Sequence, residues 1–319
     1  MKTYRITIRP DTAFGSALLG ETIFGQLCWI YRSIKGDEAL SKSLEHYTDG
    51  APFLVVSDAF VYGYLPLPNI PSALYDASDK GLDRKALKKK IYIKSTDIRK
   101  KVSTLRNVAF TEAELFADDG NGMRQSQKTD IHAHATLNRM TGCTGDDIFA
   151  PYIKRDTFFK TDLMFDIYAV ADEEFVSEDL LGQMFTLLGL SGYGRDASAG
   201  LGKFSLKSVS PVDIKVNSKS VMTLASCSPC VEGIDPENTY YRTKTHFGRH
   251  GDLGALSANP FKNPVLLAKA GAVLSFQNVY TRPFAGQGLT GLSNTIKGTV
   301  HQGYAPVVPI DFDRVNQDE

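Results

Sequence analysis

A glycine-rich segment between a predicted helix and a predicted strand constrains the fold of this chain more than any other feature. Its glycines are Gly192, Gly194, Gly200 and Gly202, with Gly189 at the end of the helix. Glycines permit positive φ angles and a close approach of backbone to phosphate, while Arg195, Ser198 and Lys203 add cations and a hydroxyl. Dinucleotide-binding folds place such a loop after a strand and before a helix, where the helix N-terminus holds the pyrophosphate. The reversed order excludes Rossmann and P-loop folds, and a plain flexible connection would not need these charged residues.

Hydrophobic periodicity predicts a βαββαβ order in the first part of the chain, interrupted by one long insertion. Alternating or continuous apolar residues predict strands at 3–9, 53–60, 163–169 and 203–209. Apolar residues at helical spacing predict a helix at 21–34 that ends before Gly36, and a second helix between Ser177 and Gly189. This order is ferredoxin-like. Residues 66–156 are polar, basic and glycine-punctuated, so we expect an inserted arm rather than a core layer.

The second half is richer in predicted strands. Candidate strands lie at 220–226, 239–245, 265–267, 272–276 and 305–310, and helices are hard to find there. We therefore expect a second, β-rich domain from residue 210 onward, and a divergent copy of the first half is one interpretation of it.

The charges are unevenly distributed, although 36 Lys+Arg balance 36 Asp+Glu. Equal totals exclude a protein that is basic all over, which is the simplest type of nucleic-acid binder. Between Lys80 and Lys101, however, ten basic residues face two acids, so this segment has a net charge of +8. Such runs are usually solvated helix faces. Here the lysines are interleaved with Ile91, Tyr92 and Ile93, and a tyrosine that can stack on a base favours contact with a nucleic acid.

Neither export nor a metal is expected. The N-terminal residues lack the apolar stretch of a signal peptide, no run approaches a membrane span, and the four cysteines are typical of reduced cytoplasmic thiols. The residues Cys227, Cys230, His246 and His250 have the spacing of a Cys₂His₂ zinc site. The segment before His246 resembles a strand, however, and Gly248 and Gly251 interrupt any helix that would carry both histidines. We therefore expect no cofactor, with zinc as an open alternative.

Several short motifs together resemble the repeat-associated mysterious proteins (RAMPs) of CRISPR systems. The segment 192–204 looks like their glycine-rich signature, and further similarity lies at 19–25, 137–142 and 303–309. Their joint order resembles the Cas5-like RAMP subunit of the type III-A CRISPR (Csm) effector complex, which caps the 5′ handle of the crRNA. The type III-B counterpart shares these loops, so the sequence does not separate the two types.

The resemblance implies an α+β fold of two ferredoxin-like (RRM-like) domains. The first, 1–209, would carry a basic β-hairpin thumb inserted at about 66–156 and the glycine-rich loop 189–204, and the second would span 210–319. The implied partners are the crRNA 5′ handle, the large palm-domain signalling subunit and the backbone RAMP subunit, in antiviral defence and without a membrane. A second glycine-rich stretch, 282–288, leads towards residue 301 and adds another candidate RNA surface. The candidate RNA-binding residues are Gly192, Gly194, Arg195, Ser198, Gly200, Gly202, Lys203, Gly20, Thr22, Arg139, Arg282 and His301.

The main alternative is a RAMP-type crRNA-processing endoribonuclease, which would use histidine as general base or acid. His132 and His134 would share one face if their segment is a strand. Processing enzymes of this type usually carry a histidine near the first helix, and the predicted helix at 21–34 has none. We therefore expect RNA binding without catalysis.

Overall fold

The computed structural model describes residues 1–75, 84–115, 127–146, 149–257 and 259–312. Lys80 and Asp83 of the basic segment lie outside these ranges, as do Arg124 and the acidic residues Asp313, Asp318 and Glu319. The α-helices are α1 (Gly20–Lys35), α2 (Asp37–Leu44), α3 (Arg84–Lys89), α4 (Glu112–Leu115) and α5 (Glu178–Ser191). The strands are β1 (Lys2–Pro10), β2 (Leu54–Val56), β3 (Phe60–Val61), β4 (Tyr64–Pro66), β5 (Lys90–Lys94), β6 (Phe110–Thr111), β7 (Gln127–His134), β8 (Tyr152–Phe159), β9 (Phe165–Ala171), β10 (Phe204–Pro211), β11 (Ser218–Thr223), β12 (Thr243–His246), β13 (Val265–Ala268), β14 (Val273–Tyr280), β15 (Phe284–Gly286) and β16 (Tyr304–Pro309).

The first sheet confirms the order predicted for the first half of the chain. Its strands lie in the order β10-β1-β9-β2, with antiparallel pairing throughout, and β3 also pairs with β9. Helices α1 and α5 pack on this sheet through their apolar residues and form one core with it. The predicted strand at 53–60 is split in two, because Ser57 Oγ accepts the backbone N–H of Tyr168 at 2.7 Å and interrupts the ladder.

The second half contains a four-stranded sheet in the order β14-β11-β16-β15 and a separate pair, β12-β13. A separate apolar core surrounds β11 and β14, and it includes the buried side chains of Val221 and Leu274. Within the described part of 210–312, the helical segments are short 3₁₀ turns. The order of the strands in this sheet also differs from the order in the first sheet.

The insertion is only partly an arm, and the expectation for 66–156 is wrong for its first portion. Strands β4, β5 and β6 form a small antiparallel sheet whose inner side contributes to a second core. Ile93 and Leu105 are fully buried there and pack with residues of the second half such as Met222. The many lysines of this stretch mask its buried apolar positions when the sequence is read alone.

The second portion of the insertion is a projecting hairpin. Strands β7 and β8 pair along their whole length, from Gln127 opposite Phe159 to His134 opposite Tyr152. Both faces carry exposed side chains, and even Ile131 is 63% exposed. The basic residues of α3 and β5 therefore lie on the small packed sheet, not on the hairpin. Among the helices of the described chain, none combines the length and apolar character that a membrane span requires.

Candidate nucleic-acid interface

The glycine-rich loop joins α5 to β10 and folds back over the connection between β1 and α1. Gly192, Gly194, Gly200 and Gly202 have φ angles of 88°, 76°, 93° and 72°, and Asp196 is also left-handed at 59°. The N–H of Gly202 donates to Ala13 O at 2.7 Å, and a Cβ at Gly202 would lie 2.1 Å from Tyr193 O. Glycine is therefore required at 202 both by the backbone conformation and by the close packing of the loop.

Tyr193 fixes the loop to the beginning of α1. Its side chain is fully buried, and its hydroxyl donates to Ala17 O at 2.7 Å while accepting the N–H of Leu19 at 3.0 Å. Burial raises the pKa of this phenol well above its ordinary value, so the hydroxyl stays protonated and can donate. Gly194, next in the chain, lies directly over Ser16. The loop and the start of α1 therefore form one rigid surface.

The first turn of α1 packs tightly against the end of β2. A Cβ at Gly20 would lie 2.4 Å from Val56 O, and the N–H of Gly20 donates to Asp58 Oδ1 at 2.8 Å. Burial, helped by the negative charge of Glu21, raises the pKa of Asp58 from 3.8 to about 7. Thr22 is half-buried in the same turn. The structure thus accounts for Gly20 by packing, and a side-chain hydrogen bond joins Thr22 to Tyr193 of the loop.

Arg195 binds the protein itself. Its guanidinium donates to Gly15 O at 3.1 Å, to Arg155 O at 2.6 Å and to the carboxylates of Asp156 at 3.0 Å and Asp196 at 2.7 Å. These acceptors belong to three elements: the β1–α1 connection, the hairpin strand β8 and the loop. Arg195 therefore holds the hairpin against the loop, and in this arrangement most of its N–H groups have protein partners.

Ser198, Gly200 and Lys203 form the open edge of the loop. Ser198 and the Lys203 side chain are exposed, and no heavy atom lies within 4 Å of a Cβ built at Gly200. The backbone of Lys203 is fixed, because its carbonyl accepts the N–H of Asp11 at 2.9 Å. An exposed hydroxyl, an exposed ammonium and an uncovered backbone thus lie together on a fixed support.

The hairpin continues this surface. Its strand β8 pairs with the β1–α1 connection through mutual backbone hydrogen bonds between Phe14 and Thr157, both 2.9 Å long. Arg139 is exposed in the turn between the two strands. His132 and His134 are exposed with ring centroids 6.5 Å apart, and His134 stacks on Tyr152 at 5.2 Å. As expected for a strand, the two histidines share a face.

The second glycine-rich stretch leads from an exposed arginine to a buried histidine. Arg282 is exposed beside Gly50, but His301 is 5% exposed and its ring lies against that of His246, with centroids 5.1 Å apart. Burial, helped by the charge on His246, lowers the pKa of His301 to about 3. His301 is therefore neutral and enclosed, which corrects its assignment as an RNA contact.

A buried ionic cluster, which no local sequence pattern reveals, surrounds the first turn of α1. Glu21 accepts hydrogen bonds from Lys244 Nζ at 2.6 Å and from His246 Nδ1 at 3.2 Å, although these residues lie in the second half of the chain. The hydrogen bond from His246 and the charge of Lys244 outweigh burial and lower the pKa of Glu21 from 4.5 to about 2. No local spacing signals a pair this far apart in sequence.

The four residues of the zinc alternative have separate environments. His246 binds Glu21, the ring of His250 lies 2.8 Å from Ser293 Oγ, and Cys227 pairs through its backbone with Ala268. Cys230 is exposed. Within the described ranges, the side chains that ligate metals form no group of three or more that could hold an ion.

No protein-family model and no curated protein matches the sequence. Solved structures match it by fold. A chain of the "Csm3-Csm4 subcomplex in the type III-A CRISPR-Cas interference complex" has a TM-score of 0.60 and 13% identity, with 97% of this chain and 99% of that chain covered. A chain of the "Csm1-Csm4 cassette in complex with pppApA" has a TM-score of 0.58 and 14% identity, with 98% and 99% covered. The matching chains are Csm4 subunits, so this chain has the fold of Csm4, a Cas5-like RAMP protein.

Proposed function

We propose that this chain is a non-catalytic crRNA-binding subunit of a type III-A CRISPR interference complex, in which it anchors the 5′ handle of the guide RNA. The observation that carries this proposal is the rigid surface formed by the glycine-rich loop, the start of α1 and the base of the hairpin. Ser198 and Lys203 are exposed on it beside open backbone at Gly200. Such a surface offers a cation, a hydroxyl and close backbone approach to a phosphodiester chain.

This role requires no catalytic group. A single-stranded handle is held by cations and amides at its phosphates, by flat side chains at its bases and by polar groups at its 2′-hydroxyls. Pairing between guide and target then supplies the sequence specificity. The exposed Arg139 in the hairpin turn adds a second cation beyond the loop.

The structures of similar fold support the choice of partners. They contain Csm4 with Csm1 and Csm4 with Csm3. We infer that this chain likewise contacts the large palm-domain subunit and the backbone RAMP subunit. We further infer two ferredoxin-like domains, 1–209 and 210–319. The βαββαβ order supports the first, and likeness to Csm4 over 98% of the chain supports a divergent second one.

A crRNA-processing endoribonuclease is the second candidate. The exposed pair of His132 and His134 favours it, because two neighbouring imidazoles can act as general acid and base. Repeat RNA incubated with the purified chain tests this candidate directly. Specific cleavage that is lost in His132→Ala would replace the binding proposal with the enzymatic one, whereas intact RNA is the result we expect.

Charge reversal at the loop edge tests handle binding. We compare Lys203→Glu with Lys207→Glu, a matched reversal at an exposed lysine of β10. In an assembled complex, Lys203→Glu should weaken capture of a handle-bearing RNA about tenfold at low salt, because a phosphate contact becomes a repulsion. Lys207→Glu should change capture little. Equal capture by the two variants would contradict the proposed handle site.

A further inference from the structure

The small sheet β4-β5-β6 has an outer face that combines aromatic rings with a cation. Its register places Tyr64 opposite Lys94 and Tyr92 opposite Phe110. Side chains alternate between the two faces of a sheet, so these four lie together on the face opposite the buried Ile93. Lys94 is exposed, and the three rings are half-buried.

The rings and the cation are already arranged for flat ligands. Tyr64 and Phe110 meet edge to face with centroids 5.6 Å apart, and Lys94 Nζ lies 5.8 Å from the centroid of Phe110. Mutual contact restricts the rotamers of both rings, which lowers the entropic cost of stacking a planar group on them. None of the three rings belongs to the apolar cores found in the described chain.

Further cations directly precede this sheet in the chain. Lys88 and Lys89 are exposed at the end of α3, directly before β5 begins. The neighbouring carboxylates already have partners: Asp97 binds Lys100 at 2.8 Å, Glu114 accepts the N–H of Thr111 at 2.7 Å, and Glu112 accepts a hydrogen bond from Gln127. Lys100 offsets the charge of Asp97, and Glu112 and Glu114 keep their negative charges but are outnumbered by Lys88, Lys89, Lys90 and Lys94. The surface therefore has a net positive charge and aromatic patches, which complements a polyanion that carries planar bases.

This face is continuous with the proposed RNA surface. Gln127, which binds Glu112, is the first residue of the hairpin strand β7. Phe159, which pairs with Gln127 across the hairpin, packs against Phe14 of the β1–α1 connection with ring centroids 5.5 Å apart. An RNA strand that passes the loop and the base of the hairpin would meet the small sheet next.

We propose that the outer face of β4-β5-β6 is a second binding surface for single-stranded RNA, separate from the handle site. We define this aromatic-basic platform as Tyr64, Tyr92, Phe110, Lys94, Lys88 and Lys89. Bases stack on Tyr64 and Phe110, and the lysines contact phosphates, as on other sequence-tolerant single-strand surfaces. The proposal rests on the proposed function, because it extends the path of the RNA beyond the handle.

Salt-dependent binding tests the lysines. The full chain is titrated against a fluorescein-labelled oligouridine of about 15 nucleotides, a length within the range of single-strand sites. The variant Lys88→Gln/Lys89→Gln/Lys94→Gln should reduce the slope of log affinity against log salt by about 2, since each phosphate contact contributes about 0.7. The control Lys207→Gln/Lys215→Gln/Lys219→Gln removes three exposed lysines elsewhere and should leave the slope unchanged.

Substitutions at Tyr64 test the stacking. Tyr64→Leu keeps an apolar side chain but removes the ring, and it should weaken binding about fivefold or more, whereas Tyr64→Phe keeps the ring and should bind like the parent chain. Circular dichroism of each variant verifies folding. The lysine substitutions lie at exposed positions, so they remain informative if Tyr64→Leu does not fold.

The outcomes separate this proposal from handle binding. Unchanged affinity and salt slope in the lysine variants would overturn the platform, even if Lys203→Glu abolishes handle capture. Lysine variants that bind RNA normally but no longer join the complex would identify the face as a protein interface and would equally overturn it. If the triple lysine variant of the platform loses oligouridine binding while Lys203→Glu captures the handle normally, the platform is supported and only the handle site is contradicted.

Discussion

The guanidinium of Arg195 lies 3.0 Å from the carboxylate of Asp156, and this contact joins the glycine-rich loop to strand β8 of the hairpin. The side chain of Lys154, also on β8, approaches Asp196 of the loop at 3.3 Å. Two ion pairs thus cross the same boundary. The orientation of the hairpin relative to the loop is therefore fixed by side chains from both, not only by the backbone pairing at Phe14.

Replacement of Arg195 by lysine should loosen the hairpin. Lysine keeps the positive charge but lacks the planar fork that reaches Asp156, Asp196 and two carbonyls together. We expect amide hydrogen exchange in strand β8 to accelerate about tenfold, because local opening becomes easier. Mass spectrometry of peptides that cover 152–159 measures this change. Arg139→Lys, in the exposed turn, is the matched control, and equal exchange in both variants would exclude the clamp.

Alanine substitutions at two loop glycines should differ in cost. Gly200 and Gly202 both have positive φ, but only at Gly202 would a new Cβ lie 2.1 Å from a backbone carbonyl, that of Tyr193. We expect Gly200→Ala to lower the free energy of unfolding by about 1 kcal/mol and Gly202→Ala by more than about 3 kcal/mol. Chemical denaturation of the two variants measures the difference. Similar losses would mean that the loop shifts freely away from Tyr193.

Local patterns predicted the first half of the fold well. The apolar stripe of α1, which includes Ile23 and Leu27, and the N-cap of α5 at Ser177 are encoded within a few residues, so periodicity reveals them. The prediction failed where distant residues decide the structure. Leu105 is buried in a core that it shares with Met222 and other residues far along the chain.

The candidate site shows the same division. The positive φ angles of the loop follow from its glycines, so the sequence was sufficient to predict its unusual backbone. The partners of Arg195 lie up to 180 residues away, and those of Glu21 lie in the second half of the chain. No spacing rule brings such residues together, so the roles of Arg195 as a clamp and of His301 as a buried group required the folded structure.

Removal of the charge on Glu21 should destabilise the junction between the two halves. Glu21→Gln leaves Lys244 without its carboxylate partner in a mostly buried position, which should cost about 3 kcal/mol at neutral pH. Because the folded pKa of about 2 lies below the ordinary 4.5, this stabilisation is present above pH 4.5 and is lost as the pH falls towards 2. Urea denaturation at several pH values measures it. A variant as stable as the parent at neutral pH would contradict the role of this cluster.

Asp58 should have the opposite pH dependence. Burial raises its folded pKa from 3.8 to about 7, so the folded state holds a proton that the unfolded state has released. The contribution of Asp58 to stability is therefore greatest below pH 3.8 and is lost as the pH rises towards 7. Asp58→Asn cannot ionise but still accepts the N–H of Gly20. We expect it to remove a slope of about 1 kcal/mol per pH unit from the stability profile in this window. An identical profile in parent and variant would show that the pKa of Asp58 is the same in the folded and unfolded states and would contradict this prediction.

The side chain of Gln302 forms hydrogen bonds with the backbone of β2, the edge strand of the first sheet. Its Oε1 accepts the N–H of Val56 at 2.8 Å and its Nε2 donates to Val56 O at 2.7 Å, so it pairs with β2 as a neighbouring backbone would. Gln302 is fully buried, and water cannot take over these bonds.

Gln302→Leu keeps the volume but leaves two buried backbone groups unpaired, which should cost about 2 to 4 kcal/mol. The measurement is the shift in the urea midpoint relative to Gln277→Leu, an exposed control on β14. Equal midpoints in the two variants would mean that β2 obtains its stability from apolar packing alone. A selective loss in Gln302→Leu would show that this residue of the second half completes the sheet on which the first turn of α1 rests.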